Sequence, residues 1–310
     1  MYKGELIALS VAVSWMFSAI FFEIAGKRVG TLSLNILRLG MSIVMIGATT
    51  WFYTGHFFPV DAGSQAWFWL GISGVIGYIL GDYCLFSSYI LIGSRFGQLF
   101  MTLAPPSAAL AGILILGEQM SGNAIAGMFV TLFGIGLSIV GRGGEENQTW
   151  HVSLPLKGIL FAIGGGVGQG VGLVFSKLGM DYYLANIPSP DETTMFMIPF
   201  ASTQIRAIIG FIGFLIVMFV GKRGCAFLLS LKDKKAFSAI TGGTIFGPFL
   251  GVSFSLMAVQ YTAAGIASTL MALTPVIILI PSYFIFKQKI SIQEIIGAII
   301  SVGGVSLFFI

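Results

Sequence analysis

Ionisable and hydrogen-bonding side chains stand inside long apolar runs of this chain, at Trp15, Arg38, Tyr78, Asp82, Gln98, Gln169 and Arg206. Hydrocarbon leaves such groups without water, so each must be paired, neutralised or turned to a cavity, and an intramembrane acid is by default a candidate for a substrate or ion path. Asp82 lies some nine residues from the nearer end of its run, about 13 Å at 1.5 Å per residue, too deep to reach water. Tyr78 sits one turn earlier on the same helical face. A carboxyl that alternates between charged and neutral forms there is the chemistry of a proton carrier, and a carboxyl that clasps two helices is the plainer use. Arg38 and Arg206 each follow a polar residue three positions earlier, Asn35 and Thr203. Their guanidinium groups can hold an anionic substrate, pair with Asp82 or reach headgroups. At about seven residues inside their runs, roughly 10 Å, the long stems still find water, which favours the structural role.

Trp15 and Gln169 fall near the middles of their runs, as a packed ring and an interhelical hydrogen bond or as two walls of a shared site. Gln98 is a weaker candidate of the same kind. Glu23 and Lys177, opposite in charge, are expected to form a salt bridge near helix ends. Gly71-Ile72-Ser73-Gly74 reads as the G-x-S-G signature of a membrane serine hydrolase. A serine nucleophile needs a base within hydrogen-bond reach. The two histidines, His56 and His151, fall in connecting segments expected on opposite faces, so Ser73 is expected to serve glycine packing. No phosphate loop, dinucleotide fingerprint or metal-ligand cluster is legible, and no cofactor is expected.

The elements that must hold these groups are membrane helices. Of 310 residues, 56% are hydrophobic and 9% charged, with mean hydropathy +0.95. Soluble domains carry roughly 25% charged residues. The net charge of +4 is spread between apolar runs and does not form a patch for nucleic acid. Cys84 and Cys225 imply no disulfide framework. The first apolar run, closed by no cleavage signal, reads as a retained helix. At about 20 apolar residues per span, ten candidates follow: 5–26, 31–53, 66–91, 96–116, 122–141, 157–179, 199–220, 236–259, 264–286 and 291–309. The long connections are 142–156 and 180–198.

The order of these helices carries a repeat. Ser94–Ser121 is answered 170 positions on by Ala264–Ser291, which sets Leu103 on Leu273, Pro105 on Pro275 and Gly134 on Gly304 (275 − 105 = 170). Trp15 answers Gln169 at an offset of 154, Arg38 answers Arg206 at 168, and Gly77 and Gly81 answer Gly247 and Gly251 at 170. Five spans per half is odd, so the halves must cross the bilayer in opposite senses. The expected fold is all-α and integral to a membrane, with a first repeat over 1–141, a connection over 142–156 and a second repeat over 157–310. Lysine and arginine in the connections fall after the odd-numbered spans, from Lys27 and Arg28 to Lys287 and Lys289. The positive-inside rule makes that face cytoplasmic and puts both termini outside. Pro105 and Pro275 break helices at matched positions, the best sequence pointer to a midplane site.

Apolar helix, L-x-P, second apolar run, G-E-x-x-S and a glycine-bearing helix, carried by Leu103, Pro105, Gly117, Glu118, Ser121, Gly127 and Gly134 and by Leu273, Pro275, Ser291, Gly297 and Gly304, resembles the EamA-type transporters of the drug/metabolite transporter superfamily. The resemblance implies a carrier in a plasma or bacterial inner membrane that moves a small metabolite, amino acid or drug by alternating access. Its partners would be the lipid bilayer and a small-molecule substrate, with proton or sodium coupling open to it, as monomer or homodimer. The chain departs from the family at Gln288, where a second glutamate is common, and the family's habit of cytoplasmic termini opposes the charge count. A flippase for a lipid-linked substrate on the same fold is the alternative. Small and aromatic side chains in the candidate helices point to an uncharged or zwitterionic cargo.

Overall fold

The computed structural model describes residues 2–141, 155–277 and 292–307, and no strand occurs among them. The turn around Gln288 and Lys287, His151 and nearly all of the connection 142–156 lie outside the described residues. Among the described residues five helices are long and apolar enough to cross a membrane: Lys3–Thr54, Ser64–Ile92, Leu156–Ala185, Glu192–Val220 and Lys234–Tyr261. Shorter apolar stretches run over Met101–Leu116, Gly122–Leu137 and Ile295–Val305.

Lys3–Thr54 is two arms folded at Gly30, whose φ of 77° and ψ of 162° are open only to glycine. Residues 22 and 38 would stand about 24 Å apart in a straight helix, yet the Arg38 guanidinium lies 5.6 Å from the Phe22 ring. The arms therefore run antiparallel. A second reversal follows Ser64–Ile92, because Gly97 packs directly on Ser88 and Tyr89, which a straight helix would place about 13 Å away.

Glycine lets the helices approach to backbone contact. A methyl group on Gly172 would come 2.9 Å from the Cα of Gly77, and one on Gly168 would come 2.9 Å from the Cα of Gly81. The same contacts recur across the repeat. Ser18 stands where Gly172 does and lies on Gly247, its hydroxyl 2.6 Å from where a methyl would sit, and Trp15 lies on Gly251 as Gln169 lies on Gly81. Ser14 Oγ donates to the Phe246 carbonyl at 2.6 Å, matching the approach of Gly168 to the Ile76 carbonyl. Each set widens into a π-helix at the matched place, Gly74–Asp82 and Ile245–Val252. Such wide turns free backbone groups and often mark functional sites.

Helices Gly122–Gly141 and Ile292–Ser306 show how the two sets are related. Thr131 faces Gly304 and Gly134 faces Ser301, so the index rises along one helix as it falls along the other. Thr131 Oγ1 donates to the Ser301 carbonyl at 3.4 Å, and Ser301 Oγ returns the bond to the Thr131 carbonyl at 3.3 Å. Two helices that answer each other in sequence thus pack antiparallel about a local two-fold axis.

One expected boundary moves. The helix expected over 199–220 begins at Glu192, because Asp191 Oδ1 accepts the Thr194 amide at 2.8 Å and caps it. The same bonds hold the Asp191 carboxyl below its ordinary pKa. The preceding helix runs on to Ala185, so the connection shrinks from 180–198 to 186–191. Arg206 therefore moves to the midpoint of Glu192–Val220, fourteen residues from each end (206 − 192 = 14; 220 − 206 = 14).

Candidate functional site

The matched prolines follow matched interruptions. A 3-10 turn over Met101–Leu103 precedes Pro105, which stands in the first turn of Ala104–Ala111. A turn at 272–273 separates Ala264–Met271 from Thr274–Ile277, which contains Pro275. Proline cannot donate to the preceding turn, so the backbone there is open to other partners.

Between the two breaks lies a cavity of about 50 Å³. One water needs roughly 10–15 Å³ on that measure, so it has room for a few waters or part of a small solute. Met101, Thr102 and Ala104 line it from one half, and Met271, Ala272 and Thr274, each 170 positions on, from the other. Trp15, Gln169 and Arg206 complete its polar wall, with Ser255 and Ser268.

Asp82, Arg38 and Tyr78 stand behind that wall. Arg38 donates from Nη2 to Asp82 Oδ2 and from Nε to Asn35 Oδ1 at 2.9 Å. Gln169 Nε2 donates to Asp82 Oδ1 at 2.5 Å and to the Gly77 carbonyl at 3.2 Å. Both carboxylate oxygens are thus engaged, as a buried charge requires. Tyr78, 1% exposed, offers its ring to both arginines, 4.7 Å from the Arg206 guanidinium and 5.5 Å from that of Arg38.

Arg206 is held differently. It is 3% exposed, its Nε has no hydrogen-bond partner, and no ion pair answers it among the described residues. The matched arginines part here: Arg38 is paired with Asp82 and Asn35, and Arg206, at mid-helix, is beyond snorkelling reach. The Asp82 position in the second half is Val252 and the Tyr78 position is Pro248 (82 + 170 = 252; 78 + 170 = 248).

A second ionic cluster lies near one end of the bundle. Gly117, with φ of 64°, stops the helix before it, and Glu118 turns inward. Its Oε1 accepts Lys177 Nζ at 2.6 Å, and its Oε2 accepts the amide of Ala264 at 3.1 Å, at the start of Ala264–Met271. Ser121 Oγ then accepts the Ala124 amide at 3.1 Å and caps the next helix. Each named residue of G-E-x-x-S so has a task. The expected Glu23–Lys177 bridge does not form, since Lys27 takes Glu23 at 2.6 Å and Glu118 takes Lys177.

Ser73 is fully buried and makes helix contacts. Its Oγ donates to the Gly172 carbonyl at 2.6 Å and lies 2.7 Å from Ser176 Oγ. Gln98 falls in Tyr83–Phe100, and its side chain, like that of Pro275, lies outside the described residues. Sequence reasoning missed Thr102, Ser255, Ser268 and the Glu118–Lys177 pair. Thr102 was within reach, three residues before Pro105. Ser255 and Ser268 carry no such signal.

Apolar helices of membrane length, a glycine-packed duplication and a cavity between matched helix breaks are a frame suited to a membrane transporter. The EamA-like transporter family model matches the chain twice, over residues 2–140 and 156–310, and the chain belongs to that family. A solved crystal structure is similar over 99% of this chain and 95% of its own, with a TM-score of 0.68 and 18% identity, a likeness of fold. No curated protein matches the chain.

Proposed function

We propose that the chain is a secondary transporter that moves a small molecule by alternating access through the central cavity. Ten spans form two inverted five-helix repeats, 1–141 and 157–310, joined by 142–156. The observation that carries this reading is the cavity lining, drawn in matched pairs from the broken segments of both halves. The antiparallel packing of Gly122–Gly141 on Ile292–Ser306 supports the inversion, since an inverted repeat rocks about such an axis.

Contacts group the connections by face. Lys3 reaches Tyr261, Asp61 meets Tyr183 and Asn186, and Glu118 meets Ala264, whereas Arg28 pairs with Asp233. By the positive-inside rule the Arg28 face is cytoplasmic. The Glu118–Lys177–Ala264 cluster ties the two halves together on the opposite face, and it must open for cargo to pass there. Asp82 couples a proton to that movement. A proton on Asp82 Oδ2 displaces Arg38 and removes the charge that holds it, while Oδ1 stays a neutral acceptor whose bond from Gln169, which lines the cavity, is weakened.

The test is flux into reconstituted vesicles over a panel of amino acids, nucleobases, organic acids and cationic drugs, with and without a pH gradient. Chain-dependent flux that a pH gradient drives, and that Asp82→Asn uncouples, is expected. Gradient-driven flux at full rate in Asp82→Asn would remove the coupling, and a panel that never responds to the chain would remove the carrier.

A further inference from the structure

We infer that the cargo of the central cavity is a small apolar monocarboxylate, whose carboxylate is received by Arg206. The inference rests on the carrier reading above and adds the chemical class of what is carried.

Arg206 lines the cavity, is 3% exposed and sits at the midpoint of its helix. Its contact is a tyrosine ring, 4.7 Å below the guanidinium. Gly77 makes room for it, because a methyl group there would stand 2.9 Å from Nη2. Buried arginines are answered by carboxylate or phosphate, and an orphaned one is strongly disfavoured. The first half shows the answered form, Arg38 with Asp82. In the second half the corresponding position is Val252, which also lines the cavity, so the place of the counter-ion is taken by open space.

Charge decides between anions. Arg38 and Asp82 cancel, which leaves Arg206, among the described residues, as one positive charge without an ion-pair partner, and one carboxylate balances it. A phosphate monoester, near −2 at neutral pH, overshoots. Among the described residues no Asp or Glu lines the cavity, and both oxygens of Asp82 are engaged, so an ammonium group finds no counter-ion among them. An organic acid therefore fits better than the uncharged or zwitterionic cargo expected from the side chains of the candidate helices. Leu173, Val252, Met101 and Met271 supply an apolar wall for its carbon frame.

The test is thermal unfolding of the purified chain in detergent with benzoate, benzamide, benzylamine, phenyl phosphate or phenylalanine, at constant sodium chloride. Benzoate is expected to raise the melting temperature by about 2–5 °C at roughly tenfold its dissociation constant, with little response to the other four. Arg206→Gln should lose the benzoate shift and, without ligand, melt at or above the unsubstituted chain, because it removes an unanswered charge. Arg206→Lys should keep part of the shift. Equal shifts with benzoate and benzamide, an unchanged benzoate shift in Arg206→Gln, or ligand-free Arg206→Gln melting well below the unsubstituted chain would each overturn the assignment. Flux of an uncharged or cationic cargo that ignores Arg206→Gln would leave the carrier standing and overturn this inference alone. Benzoate binding that Arg206→Gln abolishes, with no flux of any compound in the panel, would leave the carboxylate site standing and overturn the carrier.

Discussion

Arg38 and Arg206 hold matched positions in the two halves, and their surroundings differ by one carboxylate. Arg38 bonds Asp82 and Asn35, while Arg206 faces the cavity with Nε unpartnered. Around them the halves agree closely. Gly172 on Gly77 repeats as Ser18 on Gly247, and Gln169 on Gly81 repeats as Trp15 on Gly251. The difference teaches that the packing scaffold tolerates only small departures from symmetry, whereas the cavity needs them. A ligand that is not itself symmetric is better held by unlike walls.

The largest expected effect breaks that comparison directly. Arg38→Gln leaves Asp82 buried without its cation and should cost about 3–5 kcal/mol, whereas Arg206→Gln should cost nothing. Chemical denaturation of both variants in the same detergent measures the contrast, and equal losses would erase it. Val252→Asp sharpens it from the other side, since it restores to the second half the carboxylate of the first. A charge-assisted bond to Arg206 is worth about 1.5–3 kcal/mol, so the variant should melt higher and stop responding to benzoate. Thermal unfolding with and without benzoate reads both.

The glycine contacts give a smaller test. A methyl at Gly172 meets the Gly77 backbone at 2.9 Å, whereas one at Gly247 meets the movable Ser18 hydroxyl at 2.6 Å and the Phe22 ring at 3.0 Å. Gly172→Ala should therefore cost more, about 1–3 kcal/mol, than Gly247→Ala. The smallest effect lies outside the membrane at Asp233, whose carboxyl is held below the ordinary value of 3.8, first by the Ala236 amide and then by Arg28. Its folded-state pKa is depressed, so its contribution is present above about pH 4 and lost as pH falls further. Asp233→Asn should lower the melting temperature slightly at pH 7, and the difference from the unsubstituted chain should close as pH falls below about 4.

Helical class, membrane setting and duplication were legible because apolar length and matched Gly and Pro positions are local signals. The reversal at Gly30 was legible too, between the expected helices 5–26 and 31–53. The start of the helix at Glu192 was not, because Asp191 and Pro190 read as loop until the cap is seen, and that shift of seven residues (199 − 192 = 7) changes Arg206 from a residue near a helix end to one at mid-helix. Trp15, Gln169 and Arg206 were legible as polar groups in apolar runs, and all three line the cavity. That Arg38 would be paired and Arg206 left open was not legible, because it depends on which helix faces which.

The central claim is that two oppositely threaded halves enclose the cargo site. With Cys84 and Cys225 replaced by serine, single cysteines at Glu118 and Gln288, the repeat-related turns, should react with a membrane-impermeant thiol reagent from opposite sides of sealed vesicles. Labelling of both from the same side would contradict the inverted arrangement and the carrier built on it.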